Sequence, residues 1–119
     1  MPKTLPKIDV SAPICCAPVA AAPVDDRAAL EVALRLKALA DPVRVKLMSL
    51  LLAQRDGSMN TRDLAAAVAL AESTVSHHLG QLRTAGLVES TRQGMSVHHA
   101  ARRDALSALC FVLAPECCR

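Results

Sequence analysis

Aromatic side chains are nearly missing from this 119-residue chain, which has no tryptophan or tyrosine and a single phenylalanine, Phe111. Unpaired bases would find no stacking platform, which argues against single-strand or RNA recognition of the sheet-and-aromatic kind. Long apolar runs are missing too: the chain is 52% hydrophobic, yet no stretch approaches the roughly 20 residues of a membrane span. Asp9 and repeated prolines interrupt any apolar segment near the N-terminus, so no signal peptide is expected and a cytoplasmic location is. Neither a Gly-rich phosphate loop nor a carboxylate pair occurs. Six residues beyond Cys15, Cys16 and Cys110, where a thiol reductase loop commonly carries arginine, stand Ala21, Ala22 and Glu116. The chain is not expected to be an enzyme, and a small thiol enzyme is the only catalytic alternative worth weighing.

Charge of one sign is also scarce, the net formal charge being +3. Between Glu72 and Arg103 the basic Arg83, Arg92, Arg102 and Arg103 face only Glu72 and Glu89, a mild bias compatible with DNA contact but no proof of it. With so few aromatics the core must be built from Leu, Val, Ala and Met. A chain this short gains from a second subunit in covering its apolar surface, so a dimer is expected.

Three segments differ in kind. Residues 1–24 hold five of the seven prolines interleaved with Ala and Val, and read as an extended arm. Residues 25–114 form the folded domain, and residues 115–119 a short tail. The five cysteines are Cys15 and Cys16 on the arm, Cys117 and Cys118 on the tail, and Cys110 between them. In a reducing compartment they are thiols, metal ligands or redox groups in preference to structural disulfides.

Within the folded segment, Asp25 to Ala40 is composed of helix formers, and Asp41-Pro42 supplies an N-cap acceptor followed by proline at the first helical position. That second helix should run to about Gln54 with Val43, Leu47, Leu50 and Leu51 inward. Asp56-Gly57 breaks it, Ser58-Met59 leaves room for a minimal strand, and Asn60 with Asp63 resembles a capping box opening a short helix from Thr61 to Val68.

Val75, Leu79 and Leu82 recur at i, i+4 and i+7, which pins one helix face in a core and turns Ser73, Thr74, Ser76, His77 and Gln81 outward. These side chains are donors and acceptors sized for base edges and phosphates. Gly86 stops the helix. The segments Leu87 to Arg92 and Met95 to His99 then read as two strands about a Gln93-Gly94 turn, with Arg92 and Gln93 placed to meet the DNA backbone. A last helix, about Arg102 to Leu113, carries Leu106, Leu109, Cys110 and Leu113 on a stripe expected to serve dimerisation. The expected fold is mainly α with a small β wing, a winged helix-turn-helix of order α-α-(β)-α-α-β-β-α.

Two separated blocks carry a family resemblance: LKALADPVRVKLMSLL (Leu36 to Leu51) and STVSHHLGQLRTAGLV (Ser73 to Val88), followed by the Gln93-Gly94 turn. From about Ala28 to Leu113 the chain resembles the ArsR/SmtB family of winged-helix metal-responsive repressors. The resemblance implies a homodimer held by its first and last helices, recognition helices in successive major grooves of an inverted-repeat operator, and inducer binding that weakens DNA binding. Ala71 departs from the family's frequent serine N-cap, and Met95 from a common basic wing residue.

The inducer site has to be argued from the cysteines. The helix opening at Thr61 lacks the paired cysteines of many cadmium, lead or arsenic sensors of the family, and the last helix lacks the Asp-x-His and His-x-x-acid spacing of the zinc and nickel type. Adjacent cysteines make a strained disulfide with each other but serve well as two arms of a soft-ion site. Trivalent arsenite or antimonite takes three thiolates, so a vicinal pair needs one more cysteine. The arm's PICCAP resembles a subset of arsenite-responsive members whose third cysteine lies near the end of the second helix, but here that region is Gln54-Arg55-Asp56-Gly57. The tail then becomes the expected donor, and the metal-site set is Cys15, Cys16, Cys117 and Cys118. Cys110 is the least needed, being expected as a core or interface residue. A site confined to Cys110, Cys117 and Cys118 stays open, as do a soft divalent inducer (cadmium or lead) and thiol oxidation. His78 is expected to pack; His98 and His99 point to opposite sheet faces and read as wing histidines that are solvated or dimer-facing.

Overall fold

A computed structural model describes residues 10, 12–15, 18–55 and 57–114. The elements are α1 (Asp26–Leu39), α2 (Pro42–Leu52), β1 (Met59–Asn60), α3 (Thr61–Val68), α4 (Glu72–Thr84), β2 (Val88–Gln93), β3 (Ser96–Ala101) and α5 (Arg103–Leu113). The architecture is mainly helical with a three-stranded antiparallel sheet of order β1-β3-β2, a winged helix-turn-helix. None of the described helices is long and apolar enough to cross a membrane.

Each helix start has a local cause. The Asp25 carboxylate accepts from the Ala28 amide at 2.8 Å, and the Asn60 side chain accepts from the Asp63 amide at 2.7 Å. Asp41 accepts from the amides of Val43 and Arg44 at 2.8 and 3.3 Å. Desolvation works against the Asp41 carboxylate, but those two amides, His78 and the Arg44 charge outweigh it and hold its pKa below the ordinary value. Ala71 makes no side-chain cap bond at the start of α4, as its missing hydroxyl requires.

Helices α3 and α4 both end in left-handed caps. Ala69 has φ 57°, with the Leu70 amide bonded to the Ala65 carbonyl. Gly86 has φ 75°, with the Leu87 amide bonded to the Leu82 carbonyl. The first cap makes the turn between the two helices; the second turns the chain from α4 into the wing.

Val75, Leu79 and Leu82 are fully buried, together with Leu47, Leu51, Leu64, Leu87 and Val88, in one core that holds α2, α3, α4 and the base of the wing. Full burial of each such aliphatic side chain contributes about 1.5 to 3 kcal/mol. In α2, Met48 takes a buried place, while Val43 and Leu50 pack at the core's margin. A second, smaller cluster joins Ile14 of the arm to Val32 of α1 and to Leu109 and Val112 of α5.

Two features differ from the sequence expectation. The wing turn is Gly94-Met95, one residue later than expected: Gln93 pairs with Ser96, and Gly94 at φ 63° opens the two-residue turn. The inward stripe of α5 is Ala105, Leu109 and Val112, so Leu109 belongs to its own protomer's core and Leu106 packs against the main one. The arm explains the shift, because Ile14 fills the space beside Leu109 and Val112.

Gly86 also meets the arm. A Cβ built there would overlap the carbonyl of Val10, and the positive φ already disfavours a side chain. We expect Gly86→Ala to lower stability by at least about 1 to 2 kcal/mol, read as a fall in the urea midpoint, because it must both strain the cap and displace Val10. An unchanged midpoint would show that this contact does not exist in solution.

Candidate DNA-binding face and thiol site

On α4 the buried Val75, Leu79 and Leu82 leave Ser73, Thr74, Ser76, His77 and Gln81 exposed, and Arg92 and Gln93 are exposed at the end of β2. Helix α4 is flanked by two open clefts. One, of about 540 Å³, is lined by Lys37, Arg44, His77 and Gln81. The other, of about 370 Å³, lies against the wing and is lined by Arg62, Ser76, Met95 and Ser96. Met95, at 98% exposure, is the apolar tip of the wing.

His77 and His78 are neighbours with different work. His77 is exposed, whereas half-buried His78 accepts at Nδ1 from Arg44 Nε at 3.1 Å, which ties α4 to the start of α2. Packing at His78 is the role expected from the sequence. His99 overturns its expectation. It is only 3% exposed, with Nε2 at 2.8 Å from the Thr61 hydroxyl and Nδ1 at 2.7 Å from the Ser90 hydroxyl. Arg83 of α4 donates to the same Ser90 oxygen at 3.3 Å. A neutral ring donating to Thr61 and accepting from Ser90 satisfies the whole chain, which joins α3, α4 and both long strands. The β pattern put one face of β3 inward; that β1 would cover that face and bring Thr61 with it was not in the periodicity.

Burial first, then the charges of Arg83 and His98, push the His99 pKa below its ordinary value of 6.5. The folded state therefore binds fewer protons than the unfolded chain, and stability rises with pH through this window. Its contribution is complete above about pH 6.5 and is lost as pH falls from there through the lower folded value. Denaturant midpoints at pH 5 and pH 8 should differ in that sense, and His99→Gln should flatten the difference; an equal slope in the variant would assign the pH dependence elsewhere.

Of the arm cysteines, Cys15 is described, and it lies beside α1. Cys15 is exposed with a free thiol, at the edge of an open cavity of about 500 Å³ lined by Pro13, Pro18, Arg27, Glu31 and Arg35 among others. Arg35, only 2% exposed, was not foreseen as a buried residue. Its guanidinium donates to the Ala12 carbonyl at 3.1 Å and to the Glu31 carbonyl at 2.9 Å, which fastens the arm to α1. The Val19 amide donates to the Val112 carbonyl at 2.9 Å, which fastens it to the end of α5. Cys110 is half-buried and disulfide-bonded, not simply packed in the core. Cys16, Cys117 and Cys118 lie outside the described residues. Among the described residues no three His, Cys, Asp or Glu side chains converge as a metal site. The end of α2, where a third cysteine would sit by resemblance, is instead closed by Arg103, which donates to the carbonyls of Leu52 and Gln54 at 2.6 and 3.3 Å.

Residues 41–90 match the family model described as bacterial regulatory protein, arsR family. The chain is 32% identical to a solution structure of a homodimeric winged helix-turn-helix DNA-binding domain from Mycobacterium bovis, described as a possible ArsR-family transcriptional regulator, with TM-score 0.61 and coverage of 76% of this chain and 85% of that one. The chain belongs to the ArsR family of bacterial regulatory proteins. Within the family it is 43% identical over 76 residues to the HTH-type transcriptional regulator NmtR of Mycobacterium tuberculosis, an alignment that takes in 64% of this chain and 61% of that regulator. It is also 31% identical to the crystal structure of a possible transcriptional regulator for arsenical resistance, with TM-score 0.58 and coverage of 63% of this chain and 75% of that one.

The winged-helix residues that sequence reasoning placed outward are those this ArsR-family fold leaves open. Lys37 and Arg62 were missed. Both are exposed on α1 and α3 beside the recognition helix, but they precede it in sequence, and only the packing of α1 and α3 against α4 brings them to its flanks.

Proposed function

We propose that the protein is a homodimeric transcriptional repressor that binds operator duplex through α4 and the wing and is released by arsenite or antimonite held on cysteine thiolates that include Cys15 and Cys16. Ser73, Thr74, Ser76, His77 and Gln81 read base edges and phosphates; Arg92 and Gln93 contact the backbone or minor groove, with Lys37 and Arg62 adding charge. The observation that carries the inducer reading is the arm itself. It is fastened to α1 and α5 on both sides of Cys15, so a thiol ligand there acts on folded elements instead of on a free peptide. Similarity to a possible regulator for arsenical resistance supports the choice of a trivalent metalloid. The third thiolate comes from Cys110, Cys117 or Cys118.

A second reading, release by thiol oxidation, is favoured by one observation: Cys110 is disulfide-bonded. Binding of the full chain to duplex from the promoter of its own locus separates the readings. In a phosphine reductant, arsenite and antimonite should release the DNA at concentrations where zinc does not. Release by peroxide alone, with no response to arsenite, would replace the metalloid reading with the oxidative one. Release by cadmium or lead but not by arsenite would make the inducer a divalent ion.

Dimerisation is assigned to α1 and α5. Leu34 and Leu36 are 38% and 39% exposed on α1, and Phe111 and Leu113 are 49% and 38% exposed on α5, an apolar surface that one protomer does not cover. Because Leu109 is internal, Phe111 replaces it as the interface probe. Phe111→Glu would place an unpaired charge in the contact, and we expect monomers by sedimentation with operator binding lost. A dimeric Phe111→Glu protein that binds operator normally would move the interface elsewhere.

A further inference from the structure

Two hydroxyls, one imidazole and one guanidinium run between the helix-turn-helix and the wing. Thr61 opens α3, Arg83 lies in the last turn of α4, Ser90 belongs to β2 and His99 to β3. Ser90 and His99 are cross-strand partners whose side chains meet at 2.7 Å, and the far ring nitrogen reaches Thr61 at 2.8 Å. The Ser90 oxygen is shared, because it also accepts from Arg83 at 3.3 Å. Thr61 and Arg62 line the wing-side cleft with Ser76 and Met95, and Ser90 stands two positions before Arg92 on β2. Groups assigned to the duplex on α3, α4 and the wing are therefore spaced by one hydrogen-bonded chain.

That chain fits a neutral ring. With one Ser90 lone pair taken by Arg83, the Ser90 hydrogen goes to His99 Nδ1 and the opposite ring N–H goes to Thr61. Protonation turns both ring nitrogens into donors. The Ser90 oxygen would then receive two cationic donors, and its own hydrogen would lose its acceptor. Among the described residues, the groups packed about the ring do not offset the added charge. Helix α2 turns Leu47, Met48 and Leu51 inward, β1 pairs Met59 with His99, and α3 and β2 offer the two hydroxyls. Arg83 and His98 bear on the ring as cations, and Arg92 is a further cation on the same face of β2 as Ser90. Glu89 lies on the opposite face of that strand, and Arg62 and Asp63 of α3 are exposed.

We propose that His99, acting with Ser90, is a positioning residue of operator recognition: the neutral ring sets α3, α4 and the wing for the duplex, and a proton on the ring releases the operator. The inference rests on the repressor reading above and adds to it an input, acid, that is independent of the thiols. Operator affinity is full where the unbound protein holds the ring neutral. It falls as pH drops below that range, each binding protomer then giving up a proton. Exposed His77 acts with the opposite sign, since a proton there adds positive charge beside the duplex and strengthens binding to any sequence.

Fluorescence anisotropy of the phosphine-reduced full chain separates these effects. Labelled duplex from the promoter of its own locus is compared with an unrelated duplex of equal length at fixed ionic strength. The pH is lowered from 7.5 toward 5, as far as the circular dichroism stays that of pH 7.5. The operator Kd should rise at least about threefold while the Kd for unrelated duplex stays level or falls. His99→Gln keeps one of the two ring bonds and takes no proton, so its operator affinity should be below the parent's at pH 7.5 and flat in acid. Ser90→Ala removes the shared oxygen and should bind operator at least about threefold more weakly at pH 7.5, again with a flat profile. Ser90→Thr restores the hydroxyl and should recover both the affinity and the pH dependence, which a variant acting through stability alone would not do. An operator Kd that does not rise in acid would overturn the inference, as would the parent's profile in His99→Gln or Ser90→Ala, or an equal rise for both duplexes. No operator binding at any pH would refute the repressor reading and the inference with it.

Discussion

With Cys15 and Cys16 both replaced by serine, the protein is expected to hold its operator at arsenite and antimonite concentrations that free the parent chain. Serine preserves size and hydrogen bonding, and Cys15 is exposed, so the substitution spares the packing that seats the arm through Ile14 and Val19. What it removes is soft-ion ligation: a hydroxyl does not replace a thiolate for a thiophilic centre. The effect should be close to complete in release and close to absent in operator affinity without inducer, since Cys15 lines neither cleft beside α4. Fluorescence anisotropy of labelled operator, titrated with arsenite, reads both. Parental release by the double variant would exclude the arm pair from the site.

The second large effect concerns the DNA face. Ser76→Ala with His77→Ala removes two exposed polar groups from the side of α4 opposite Val75, Leu79 and Leu82, and should cost on the order of 1 to 3 kcal/mol per half-site while leaving the fold intact. For a dimer on two half-sites the penalty applies twice, and each 1.4 kcal/mol is tenfold in Kd. Ser76 opens onto the wing-side cleft and His77 onto the α1-side cleft, so the pair samples both flanks of the helix. Their loss should weaken operator binding more than binding to unrelated duplex. Equal affinity of parent and double variant for operator would remove this face from the interface.

Much of this was legible in the sequence because it depends on local rules. The i, i+4, i+7 spacing of Val75, Leu79 and Leu82 gave the buried face of α4, and Asp41-Pro42 and Asn60 marked helix starts whose cap bonds are present. Gly86 marked the end of α4 because a left-handed cap is needed there. Long-range packing was not legible. Arg35 is buried with the arm supplying a carbonyl for it, a partner no local pattern announces, and Leu109 looked free for a partner until Ile14 covered it. His99 became a buried, doubly bonded ring only because β1 pairs with β3 and carries α3's first residue, Thr61, to it. For the thiols, sequence identified the groups but not their neighbours, since proline content says that an arm is extended and not where it lies.

The most direct test is operator release by arsenite in a chain lacking residues 1–22. Asp25, the N-cap of α1, is retained, and no described arm residue belongs to the main core that positions α4, so the truncated protein keeps α4 and the wing in place. It should bind operator and stay bound at arsenite concentrations that release the full chain. Normal release from the truncated protein would contradict the account and place the whole site on Cys110, Cys117 and Cys118.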